Sequence, residues 1–339
     1  MVSERKKRMN ALVRKFKGNP TWFYALSICA TWAGAGSLIV GADTAQTMGV
    51  IPFLLWGLGN ALSCVFFGVC VSKFKWLENI FTSEIYKVIL IVISVLQVWL
   101  QMSAINDSLS TVSPTFAIAV TYAVCIAFLL YYLTGGMIRN VLTDGCGWMI
   151  VYGLIFTIAI VSILTNGVHA PEAGLTAAGI ENGVRRFFTL LIGPFFYPYF
   201  WSLIKYNDGN VDDTNQTNMK KAFALGGLVF GIYLCFVFLV ALTTLSPAME
   251  IVKGVLLAII ASSTLTSFIF SILNMYNKKI GCAVNVLAFI GWKFLIPLGV
   301  MGIWNILQDS RFMILVVSII VYLIWRRFNA EKEKTEHSI

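Results

Sequence analysis

Two charged side chains stand in strongly apolar surroundings: Asp43, at the end of "ATWAGAGSLIVGAD" (residues 30–43), and Lys293, in "FIGWKFLIP". An ionisable group at bilayer depth is expensive and usually handles an ion, a proton or a substrate, unless it reaches an interface. For Asp43 the choice is between a gate or vestibule role and plain solvation at a helix end. Lys293 can serve as a fixed or protonatable charge in place of a coupling ion, or it can snorkel. Gln101, in "LQVWLQMSAI", is an amide in mid-bundle that can bind a solute or bond a neighbouring helix. Aromatic side chains gather at Trp32, Phe195, Phe196, Tyr197, Tyr199 and Trp201. Such a lining can hold an organic cation by cation–π attraction, or simply pack.

Enzyme chemistry has little to stand on. No paired carboxylates, nucleophile–base set or metal cluster is visible. The two histidines, His169 and His337, are far apart, and the seven cysteines fall in or at the ends of apolar runs with no CxxC spacing. No catalytic residue, metal beyond a coupling ion, or organic cofactor is expected.

The elements that must position these residues are membrane helices. The chain is 58% hydrophobic and 12% charged, too apolar for a water-facing surface. Runs of about 20 apolar residues predict ten spans. They lie near 21–42, 49–72, 85–105, 114–134, 146–166, 184–206, 221–243, 249–275, 282–304 and 311–326. The basic first twenty residues lack the apolar stretch of a cleavable signal, so none is expected. With both termini cytoplasmic, 20 of the 25 Lys and Arg residues fall on the inside, while Arg185, Arg186, Lys253 and Arg311 fall outside. The net charge of +9 is therefore a topology signal, and no nucleic-acid partner is expected.

The spans divide into two sets. A basic segment (1–20) precedes a first set of five (21–166); an external loop (167–183) leads to a second set (184–327) and a charged tail (328–339). The first span of each set carries helix breakers: Gly34, Gly36 and Gly41 in one, Gly193, Pro194 and Pro198 in the other. An odd number of spans per set makes the two run in opposite directions. Interrupted spans at matching positions of inverted halves mark a transporter binding site; isolated breaks would be ordinary kinks or close-packing points. The expected fold is thus all-α and polytopic, with two inverted five-helix repeats and helices one and six discontinuous near Ala33–Ser37 and Gly193–Phe196. Trp32, Gly34, Gly36, Ser37, Gln101, Gly193, Phe195, Phe196 and Tyr197 are the candidate solute contacts.

"TGGMIRNVLTDG" (134–145) resembles the GG…TD signature of the sodium/solute symporter family. "ATWAGAGSLIVGADTAQTMG" is similar to that family's first core helix, most of all in its choline-transporter branch. "LQVWLQMSAI" and "GPFFYPYFWSLIKYND" resemble its third and sixth. The likeness runs through span eight, fades after residue 280, and points to a short, core-only member. It implies the leucine-transporter fold and sodium-driven uptake of a small amine, amino-acid-like or carboxylate solute. It also implies a sodium site made by the carbonyls of Ala30 and Ala33 and by hydroxyls from "ASSTLTS" (261–267), with Ser262 and Ser263 first in line. A shifted register brings Ala258 and Ile259 to those positions, and Thr266 and Ser267 are the other hydroxyls in reach of the helix face.

The expected protein is a multi-pass symporter in a bacterial-type plasma membrane that works by alternating access. Its partners are the lipid, a sodium ion and the solute. Two alternatives stay open: coupling to protons through Asp43 or Lys293, and a solute-binding receptor or scaffold that does not transport.

Overall fold

The computed structural model of the chain describes residues 21–74, 76–77, 83–110, 113–133, 136–169, 176–208, 213–314 and 316–317. The basic segment 1–20, the tail 328–339 and most of the expected span 311–326 lie outside the described residues. Among the described residues the fold is entirely helical. In chain order come α1 (Thr21–Thr47), α2 (Val50–Lys73), α3 (Glu84–Ser110), α4 (Pro114–Leu133) and α5 (Met137–Asn166). After them α6 (Ala177–Leu191), a 3-10 turn (Gly193–Phe196) and α7 (Pro198–Asp208) follow one another closely. Then come α8 (Asp213–Ala241), α9 (Pro247–Met275), α10 (Lys278–Trp292) and α11 (Ile296–Ile314).

Local chemistry sets several of these boundaries. Thr176, Ser246 and Asn277 each accept a hydrogen bond from a backbone amide in the first turn of α6, α9 and α10. Pro247 opens α9, where its missing N–H costs nothing. Pro297 cannot donate back into a continuing helix, and α10 and α11 meet at a 61° bend across Lys293–Leu295.

Among the described residues seven helices are long and apolar enough to cross a membrane, and up to eight if α10 and α11 together make one crossing. The bundle is built for lipid. On α2, Leu54, Leu58, Leu62 and Phe66 form an exposed stripe at four-residue spacing, while Asn60 and Ser63 are buried. A helix in water would put these faces the other way round.

The helices pack as two groups. In one, α8 lies along α1 and α2, and α6 lies along α2. In the other, α9 packs on α3, α4, α5 and α10. Aromatic rings cluster where α2 and α8 meet the Gly193–Phe196 turn and α7, with Phe67 touching Phe195, Phe200, Trp201 and Phe223. The seam between the groups runs where α1 meets α9, α5 and α3.

Three boundaries differ from expectation. The sixth span begins at Ala177 and not at 184, because the Thr176 cap starts α6 there and the "AAGIENG" end of the connection forms its first turns. The break expected after residue 304 falls at Lys293–Leu295 instead, so the predicted span 282–304 is divided, and residues 305–310 are helical. Apolar residues fill that bend ("WKFLIP"), whereas polar ones ("NILQDSR") sit on a continuous helix, so hydropathy alone reverses them. Finally, α5 begins at Met137, which puts Asp144 well inside a helix.

Candidate functional site

The two breaks face each other. Within α1, Gly34 has φ 49° and ψ 167°, a region open in practice only to glycine. The break frees the amide of Ala35, which donates to Gln101 Oε1 at 2.9 Å. Gln101 lies so close that a Cβ on residue 34 would stand 3.0 Å from its Nε2. Across from it, the Gly193–Phe196 turn separates α6 from α7. The Trp32 ring covers Gly193 so tightly that a side chain there would overlap it, and it meets Tyr197 edge-on at 5.0 Å.

A chain of hydrogen bonds joins the breaks. The Ala35 amide can only donate, so it fixes the orientation of the Gln101 carboxamide. Gln101 Nε2 then donates to Gln97 Oε1 at 3.4 Å, and Gln97 Nε2 to Tyr197 Oη at 2.6 Å. Arg311 Nη2 donates to the same phenol at 3.1 Å. Arg311 is fully buried, with its guanidinium 5.9 Å from the Trp32 ring centre and 5.3 Å from that of Tyr197.

A second polar centre lies beside α1. Asp144 of α5 is completely buried. Its Oδ2 accepts from Ser27 Oγ at 2.7 Å and Asn140 Nδ2 at 2.8 Å, and its Oδ1 from Ser263 Oγ at 3.0 Å. Ser267 Oγ is 3.4 Å from Oδ2 and itself accepts from Thr31 Oγ1 at 2.8 Å. Tyr199 Oη lies 2.7 Å from Ser27 Oγ, and since Ser27 gives its hydrogen to Asp144, Tyr199 is the donor. Thr264 Oγ1 donates to the Ala30 carbonyl at 2.8 Å. Hydroxyls from α1 and α9 thus meet the Asp144 carboxylate of α5, and Tyr199 of α7 is joined to it through Ser27. The ion pairs among the described residues all lie elsewhere. A buried charge without a counter-charge is unfavourable, so Asp144 calls for a cation or a proton.

The anticipated residues sort clearly against this geometry. Ser262 and Ser263 both border an apolar groove of about 1010 Å³ flanked by Phe128, Ile251 and Val255, and of the two it is Ser263 that bonds Asp144. Thr264 is the α9 hydroxyl that meets Ala30. Ala33 and Ser37 line a small chamber with Trp32, Tyr197 and Arg311, and Gly36 packs under the Trp304 ring. Gln101 spends its carbonyl on the α1 break. Phe195 packs on Phe67 and Phe196 stacks on Tyr86, so both serve packing outside the chamber lining. Asp43 is half-buried near the C-terminal end of α1, and Lys293 is exposed at the α10–α11 bend, not at mid-span.

Sequence reasoning missed the two buried charges. Asp144 sits in the quoted "TGGMIRNVLTDG", and its signal was Asn140 one turn earlier on the same face. Arg311 opens the expected span 311–326, where it reads as a charge on the outer side. No protein-family model and no curated protein matches this chain. The functional conclusion therefore rests on the site itself.

Proposed function

We propose that this protein is a secondary active transporter that carries a small organic solute by symport, with sodium as the coupling ion. The observation that carries the proposal is Asp144: a buried, uncompensated carboxylate ringed by hydroxyls, at the seam between two helix groups and beside a broken helix. The donor set fits a hard cation, since the Asp144 carboxylate and the hydroxyls of Ser263, Ser267 and Thr31 are oxygens, as is the Ala30 carbonyl. An ion held there would bind both groups at once and so would favour one arrangement of them over another.

The helix pairing supports two inverted five-helix repeats, with α6, its turn and α7 as one broken crossing and α10 and α11 as two. Exchanging the halves turns the α1–α8 pair into α6–α2, and the α3–α4 pair into α9–α10; all four pairs are in contact. The ten crossings then place both termini in the cytoplasm, in keeping with the basic residues.

The test is uptake in proteoliposomes. A panel of labelled solutes should accumulate against its gradient when sodium is high outside, and Asp144→Asn should abolish accumulation. Equal uptake driven by a pH gradient in sodium-free medium would replace sodium with a proton on Asp144. Solute binding with no accumulation under either gradient would overturn transport in favour of a receptor.

A further inference from the structure

We infer that the chamber between the two breaks binds the carboxylate group of an anionic solute, with Arg311 as its counter-charge. The inference rests on the transporter reading for what the site does, but on its own observations for what the site takes.

The chamber holds about 10 Å³, room for a single water, and is walled by Trp32, Trp56, Tyr197, Trp304 and Arg311. Three of its buried groups have no partner: Trp56 Nε1, Trp304 Nε1 and Arg311 Nε. All three can only donate. Tyr197 Oη already receives donors from Gln97 and Arg311, so its own hydrogen is free to be given. Four free donors therefore belong to residues that wall one small space, and no Asp or Glu lines it. A guest must bring acceptors and negative charge. Carboxylate and guanidinium match as a two-toothed pair.

The aromatic walls do not argue for a cation. The guanidinium of Arg311 already lies against Trp32 and Tyr197, so the slot a quaternary ammonium would use is filled by the protein's own charge. Approach is consistent with this polarity. A polar groove of about 230 Å³ between α6 and α11 is lined by Arg185, Arg186, Asn305, Gln308 and Asp309, and it shares Trp304 with the chamber. Both polar atoms of the Gln308 side chain are buried without partners. A small carboxylate fits the groove and meets Arg311 when Trp304 turns aside.

The experiment titrates the full-length protein in nanodiscs with the potassium salts of acetate, lactate, succinate and glutamate, and with choline and putrescine chlorides, at constant sodium. Tryptophan fluorescence and thermal unfolding are the readouts, since three indoles wall the chamber. At least one carboxylate should shift both, and neither cation should. Arg311→Gln should weaken that carboxylate at least tenfold, with Arg311→Lys intermediate. Tyr197→Phe and Trp304→Phe, which keep their rings or replace one aromatic with another, should weaken it several-fold and test the chamber independently of Arg311. Arg311→Met should melt no lower than the parent without solute and gain nothing from carboxylate, whereas a purely structural arginine predicts a large loss of stability. Choline or putrescine binding in preference, no response to any carboxylate, or unchanged carboxylate affinity in Arg311→Gln would overturn the inference. Accumulation of a cation in proteoliposomes would refute the carboxylate and leave transport standing. Arg311-dependent carboxylate binding without accumulation would do the reverse.

Discussion

Ser262 and Ser263 are neighbours that border the same groove, yet it is Ser263 that bonds Asp144, and this is the sharpest residue-level test of the ion site. Ser263→Ala removes a donor to Asp144 and should weaken apparent sodium affinity about ten- to a hundredfold, measured as the sodium dependence of uptake. Ser262→Ala should leave that dependence unchanged, because the α9 hydroxyls on Asp144 are those of Ser263 and Ser267. If both variants behave alike, the register of α9 is not the one described. Gly34→Ala should lower stability by about 1–3 kcal/mol, read from thermal unfolding, for the strained backbone alone. At this scale the sequence made the breaks legible, since glycine and proline carry their own conformational rules. Asp144 was harder to read, since Asn140 alone among its partners lies near it along the chain, while Ser27, Ser263 and Ser267 come from α1 and α9.

Among the elements, the broken α1 depends most on a neighbour. Its Ala35 amide donates to Gln101 on α3, so Gln101→Leu should cost about 1–3 kcal/mol in thermal stability through a weakened buried donor. Gln101→Glu keeps an acceptor for Ala35 and should cost less; an equal loss in both would point to packing instead. Apolar run length located most helices but failed at α10 and α11. There the turn is apolar and the helix polar, because Arg311 and Gln308 look inward at a cavity and not outward at lipid. Hydropathy reports what a residue is and cannot report which way it faces.

For the whole molecule, the proposed ten crossings would fix the side on which each connection lies. Single cysteines at His169 and Lys293 should react with an impermeant thiol reagent added outside intact cells, and one at Asn277 should react only after permeabilisation. Labelling of Lys293→Cys from the inside would mean that α10 and α11 form one bent crossing, and the inverted-repeat arrangement would fall. The seam between the two helix groups was beyond the reach of sequence, because it is defined by which helices touch. Its polar character is what makes it suited to rearrangement. Hydroxyls and amides can exchange partners with water or an ion, whereas the ring packing around Phe67 cannot be parted without exposing large apolar surface.

The indole of Trp32 resting in the notch left by Gly193 has a mechanical consequence. Two broken helices would ordinarily supply two independent joints, each able to flex alone. Here the ring is a key and the glycine its slot, so that displacing either half-helix drags the other along. The molecule is left with one degree of freedom where its chain would permit two. A larger residue in the slot, as in Gly193→Ala, would not loosen this linkage but jam it.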